Sequence, residues 1–202
     1  NREHNWSSTA LARFRLRSSV PFDVRDARVA VVRSREEGLP SVAVVGDRSV
    51  VGEYEALLLE CGFEAGVVEP AGLALTALLP ADGVDGLLVE WDVQHLTIVV
   101  VRGDWPLLFR TVVGVATEAD EVAHEVRSTL LYCQEKLAGV APRRIVVRVP
   151  PQIDADALLR LETGVGLPVS RAEMPGIGGP STSAADVQGF GAALAAVLGR
   201  VQ

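Results

Sequence analysis

Two carboxylates, Glu90 and Asp92, stand two positions apart in the stretch 87–113, LLVEWDVQHLTIVVVRGDWPLLFRTVV. An i, i+2 spacing puts both on one face of an extended strand. A carboxylate at a strand-end hairpin can hold a metal or position a water. The same aspartate can equally bond its own backbone as a turn residue, so both readings of Asp92 stay open. Glu90 has no partner visible along the chain. The three histidines, His4, His95 and His124, form neither HxxxH nor HExxH, which excludes the common metal motifs. Cys61 and Cys133 stand alone within helical patterns and read as buried free thiols of a reducing compartment. No GxSxG, P-loop or dinucleotide-type GxGxxG occurs. The glycines of PGIGGPS (175–181) could form an anion-binding nest, but no strand leads into them and no lysine follows, which favours a flexible connector.

Elements that would position these residues follow from the apolar pattern. Residues 87–90, 96–101 and 107–113 are short β-branched runs joined by the polar turns 92–95 and 102–104, which predicts a β-meander with Asp92 at its first turn. Upstream, Ser7 or Ser8 is placed to cap a helix running to about Arg17, with Leu11 and Phe14 on one face and Arg13, Arg15 and Arg17 interleaved as a solvated face. Pro21 ends it. Strands are predicted at 27–33 and 41–45, and a helix at 49–61 with Val50, Tyr54, Leu57 and Leu58 at helical spacing, stopped by Gly62. A short strand at 65–68 and a helix at 72–79 lead to the meander. Beyond it, Thr117 begins a helix with Glu118, Asp120 and Glu121 in its first turn, where the macrodipole favours negative charge. Val122, Val126, Leu130, Cys133 and Leu137 mark its buried face. A strand at 145–149, a helix at 155–162, a brief strand at 168–170 and a small-residue helix at 184–199 complete an α/β chain with hairpins.

The 202 residues suffice for one or two domains, and 49% hydrophobic with 22% charged residues is a globular composition. The net charge of −7 argues against a nucleic-acid groove, which needs a basic face. No apolar run reaches the roughly 18 to 20 residues of a membrane helix. The one methionine is Met174, so residue 1 is not an initiator; the chain is either processed or a piece of something longer.

The order of motifs resembles the PilM family, actin-like cytoplasmic proteins of type IV pilus assembly related to FtsA. SSVPFDVRDARVA (18–30) is similar to that family's "PF(D/P)" segment entering a strand. Residues 49–69, with Tyr54, the CGF turn and VVEP, resemble its "Y…LL..AGL….V(D/E)" stretch. Residues 89–101 take the place of a "DIG-(A/S)-x-T" hairpin, and 106–114 that of "LFTR…GG". EVRSTLLYCQ (125–134) closely resembles the family's "EI-x-RSLx(F/Y)(F/Y)" helix, and GFGAALAAVLG (189–199) its closing helix.

This resemblance implies an α/β, actin-like (ribonuclease H-like) fold that is incomplete and carries an inserted small α/β subdomain. Residues 1–70 would be the remainder of the first actin-like lobe including that subdomain, and 71–202 the second lobe. The family's first phosphate loop, "GxDIGSxxxK", precedes everything in this sequence. In the second, Asp92 and Thr97 keep the pattern as vestigial cofactor positions, but Gln94 and His95 replace its glycine and small residue. The adenine-side "(L/S)GGGA" becomes Pro150-Pro151-Gln152. The resemblance therefore implies a pseudo-ATPase scaffold without catalytic residues, cofactor or metal. It would sit in the cytoplasm, peripheral to the inner membrane, holding the tail of a PilN-like membrane protein. Val20, Pro21 and Phe22 in the segment 21–45 would supply apolar contacts to that tail, and a homodimer is compatible with this arrangement. The alternatives are the cytoplasmic domain of a GspL-like type II secretion protein and a working ATPase using Asp92.

Overall fold

The computed structural model describes residues 2–34, 37–80, 82–92, 94–103, 105–114, 118–137, 139–149 and 153–173. The Pro150–Gln152 corner, the start of the fourth helix at Thr117, the PGIGGPS loop and the final helix at 184–199 lie outside these residues. The chain divides into two compact units, 1–69 and 70–202.

In the first unit, helix α1 (Arg2–Leu16) precedes an antiparallel hairpin, β1 (Ala27–Val32) and β2 (Val42–Asp47), followed directly by helix α2 (Arg48–Glu60). Helix α1 starts well before the expected serine cap. Ser7 and Ser8 lie inside it, because residues 2–6 already carry the helical backbone. Helix α2 is capped by Asp47, whose carboxylate accepts from the Ser49 amide at 2.8 Å and its hydroxyl at 2.6 Å. Those bonds, the hydroxyl's first, hold the Asp47 pKa below its ordinary value. Gly62, at φ +82°, turns the helix end so that its amide bonds Leu59 O and the Phe63 amide bonds Leu58 O at 2.9 Å, a Schellman ending. The strand expected at 65–68 does not form. Its valines have strand propensity, but among the described residues no strand pairs with them to complete a ladder. Cys61, expected buried, is exposed at the end of α2, because that helix buries none of its residues.

The second unit is built on a five-stranded sheet in the order β5-β4-β3-β6-β7. The expected meander forms it: β3 (Gly86–Trp91), β4 (His95–Arg102) and β5 (Trp105–Val113) are antiparallel neighbours. Strand β6 (Ile145–Arg148) runs parallel to β3, and β7 (Val169–Arg171) parallel to β6. Helix α4 (Ala119–Lys136) and helix α5 (Ala155–Val165) contribute Val122, Val126, Cys133 and Leu161 to one core with Leu87, Val89, Ile98 and Val147. Burial pushes the Cys133 thiol pKa up. The opposite face carries Leu88, Val99, Val101 and Val146, packed by Leu75 and Leu79. Leu75 opens the 3₁₀ turn Leu75–Leu78 that continues helix α3 (Ala71–Ala74), and Leu79 directly follows that turn. The helix expected at 72–79 is thus shorter and tighter, because Pro80 drives Leu79 to extended backbone. With both faces covered, every residue of β3 is buried, and each fully buried Leu or Val stabilises the fold by about 1.5–3 kcal/mol.

Candidate functional site

Alternation along β3 sends Leu87, Val89 and Trp91 to the α4/α5 face, and Leu88 and Glu90 to the other. Strand register then decides what Glu90 meets. It stands opposite Thr97 of β4 on one side and Arg148 of β6 on the other, and Thr97 in turn faces Thr111 of β5. Four polar side chains from four strands therefore form one transverse row, Arg148–Glu90–Thr97–Thr111. The next row inward, Val146, Leu88, Val99 and Phe109, is apolar throughout.

Arg148 Nη1 donates to Glu90 Oε1 at 2.8 Å, and the Thr97 and Thr111 hydroxyls are 3.0 Å apart. Glu90 is only 6% exposed and Thr97 4%, so the ion pair is held largely out of water, whereas Thr111, at the outer end of the row, is exposed. A buried carboxylate needs such a partner, since an unpaired charge there would be costly. The backbone of α3 closes over Thr97. A Cβ on Gly72 would lie 2.8 Å from Thr97 Cγ2 and 2.9 Å from Phe109 Cε2, so this glycine permits the approach.

The turn beyond the row is closed by backbone bonds: the Asp92 amide donates to His95 O at 3.0 Å, and the Gly114 amide to Gln94 O at 3.1 Å. Asp92 lies just past the end of β3 and is half-buried; Gln94 is exposed and His95 half-buried at the start of β4. Of the residues singled out in the sequence, Glu90 and Thr97 share the row, and Asp92 lies outside it, just past the end of β3. Glu90 does have a partner: Arg148 lies 58 positions away, and only the parallel β3–β6 register brings it alongside. Thr111 was missed because only the antiparallel β4–β5 register sets it opposite Thr97. Among the described residues no group of three or more His, Cys, Asp or Glu converges to hold a metal, and no helix is long and apolar enough to cross a membrane.

Val20, Pro21 and Phe22 lie in the other unit, on the link between α1 and β1. Val20 and Phe22 are half-buried, and Pro21 is exposed. Arg13 of α1 ties down the chain that follows, donating to Val24 O, to Arg25 O at 3.3 Å and to Ala27 O at 2.9 Å. Asp23 pairs with Arg25 at 2.5 Å, and the Arg25 guanidinium lowers its carboxyl to about 2, with help from the Arg25 amide.

No protein-family model and no curated protein matches the chain. Solved structures do. A chain of the PilM-PilN type IV pilus biogenesis complex is 16% identical with a TM-score of 0.68, the match covering 96% of this chain and 70% of that one. The cytoplasmic domain of EpsL, an inner-membrane component of the type II secretion system of Vibrio cholerae, is 18% identical with a TM-score of 0.49, over 92% and 63%. A Bacteroides thetaiotaomicron protein with an actin-like ATPase fold is 9% identical with a TM-score of 0.42, over 78% and 58%. The chain therefore shares the fold of a protein of that pilus complex, an α/β architecture with a five-stranded mixed sheet, and the resemblance carried by its motif order holds at the level of the fold.

Proposed function

We propose that this chain is a non-catalytic, actin-like scaffold of an inner-membrane assembly of the type IV pilus kind, holding the cytoplasmic tail of a PilN-like membrane protein. The observation that carries this reading is the fold match over 96% of the chain to a protein of a PilM-PilN complex. The protein would work in the cytoplasm and reach the inner membrane through that partner. The polar row supports the non-catalytic part. Glu90 is engaged by Arg148 across the β3–β6 pair, which favours a structural role for that carboxylate. Gln94 and His95 furnish the adjoining turn with side chains where close backbone approach to phosphate needs glycine. Each phosphate hydrogen bond lost there is charge-assisted and worth roughly 1.5–3 kcal/mol.

Titration calorimetry tests both halves. With magnesium and ATP or ADP, no binding is expected up to about 1 mM nucleotide, and a micromolar Kd would overturn the non-catalytic reading. With a synthetic peptide of the cytoplasmic tail of the host's PilN-like protein, saturable one-to-one binding is expected. A flat titration would remove the scaffold role.

A further inference from the structure

Two helices of the first unit leave apolar faces uncovered, and their charges are opposite. On α2, Val50, Tyr54 and Leu57 follow one another at i, i+4 and i+7 and are 50%, 60% and 58% exposed. Glu53 and Glu60 lie one step round the helix, along one side of that stripe. The inner side of α2 is occupied elsewhere: Glu55 pairs with Arg28 of β1 at 3.1 Å, and Val51 lies against Gly46 of β2. At the end of α1, Leu11 and Phe14 are 51% and 63% exposed. Arg15 is exposed beside them, and the Arg17 guanidinium stacks over the Phe14 ring at 4.6 Å. Arg15, Arg17, Glu53 and Glu60 make no ion pair among the described residues.

We propose that these two faces are the halves of one self-association interface: the Leu11/Phe14 face of α1, with Arg15 and Arg17, docks on the Val50/Tyr54/Leu57 stripe of α2 in a second copy, beside its Glu53 and Glu60. Charge decides the pairing. Docking α2 on α2, or α1 on α1, would set like charges side by side around the apolar contact, whereas α1 on α2 matches them. Because the contact is heterologous, each copy keeps one unused half, and association continues from copy to copy instead of closing at a symmetric dimer. One helix on another buries less than the roughly 1,200 Å² of a stable interface, so the association is weak and salt-sensitive. It is independent of the nucleotide and tail-peptide readings above.

Sedimentation velocity of the full chain at low salt tests this. The average mass is expected to rise progressively with protein concentration over about 10–500 μM and to fall back in about 0.5 M sodium chloride. The doubly substituted Arg15→Glu/Arg17→Glu and Glu53→Lys/Glu60→Lys proteins should each stay monomeric alone. Mixed in equal amounts they should again form higher-mass species, because each then supplies the charge the other lacks. Circular dichroism matching the wild type confirms that the variants fold. Should either fail to fold, Leu57→Ser, at a solvent-exposed site, should weaken association at least fivefold. A wild-type chain that is monomeric across this range, or a charge-reversed protein that associates alone as the wild type does, would overturn the proposal.

Discussion

Helices α2 and α4 present the same kind of pattern along the chain and meet opposite fates. In α4, Val122, Val126 and Cys133 are fully buried beneath the five-stranded sheet. In α2, Val50, Tyr54 and Leu57 also follow a helical repeat, yet none of its residues is buried. The difference lies in what stands opposite. The five-stranded sheet offers α4 and α5 a broad apolar face, whereas the two-stranded hairpin receives only the side of α2 that carries Val51 and Glu55. Helical periodicity reports that a face is apolar; it is silent on what covers it.

The contrast can be broken first at the buried ion pair. Arg148→Met should destabilise the protein by about 3–5 kcal/mol by leaving Glu90 charged and unpaired, while Glu90→Met together with Arg148→Met should recover most of that loss. Urea denaturation of the two single variants and the double variant measures the coupling. A double variant as unstable as the worse single one would mean that the pair is not what Arg148 contributes.

Truncating one leucine from each unit sharpens the comparison. Leu161→Ala, at a fully buried position of α5, should cost about 2–5 kcal/mol. Leu57→Ala on α2 should change monomer stability by less than about 0.5 kcal/mol. Equal losses in thermal or urea unfolding would show that α2 is covered after all.

Gly72→Ala comes next in size. Its Cβ would press on Thr97 and on the Phe109 ring, whose side chains can yield only in part, and about 1–3 kcal/mol should be lost. A wild-type urea midpoint for this variant would deny the close approach of α3 to the polar row.

The smallest effect belongs to the exposed Asp23–Arg25 pair. The folded pKa of Asp23, about 2, lies below its ordinary 3.8, so the pair's contribution is present above pH 3.8 and is lost as pH falls towards 2. Carboxyl NMR should place the Asp23 midpoint near 2 in the wild type, and Arg25→Ala should return it towards 3.8. An unmoved midpoint would assign the depression to something other than the guanidinium.

Much of the sheet was legible from short-range chemistry. The β-branched runs around the turns 92–95 and 102–104 specify the meander, because alternation and turn residues act within a few positions. The strand expected at 65–68 failed because propensity is realised only when another strand completes the ladder. The serine cap failed because the upstream backbone was already helical. At the site, Glu90 and Thr97 could be named from the sequence, but Arg148 and Thr111 could not.

Local pattern and turn chemistry are properties of neighbours in the chain, so the amino-acid order alone determined the β3–β5 meander, the Gly62 stop of α2 and the buried face of α4. Cross-strand register and burial are properties of neighbours in space. Only the folded sheet could line up Arg148, Glu90, Thr97 and Thr111 from four strands, and only the narrow hairpin could leave the stripe of α2 open to water.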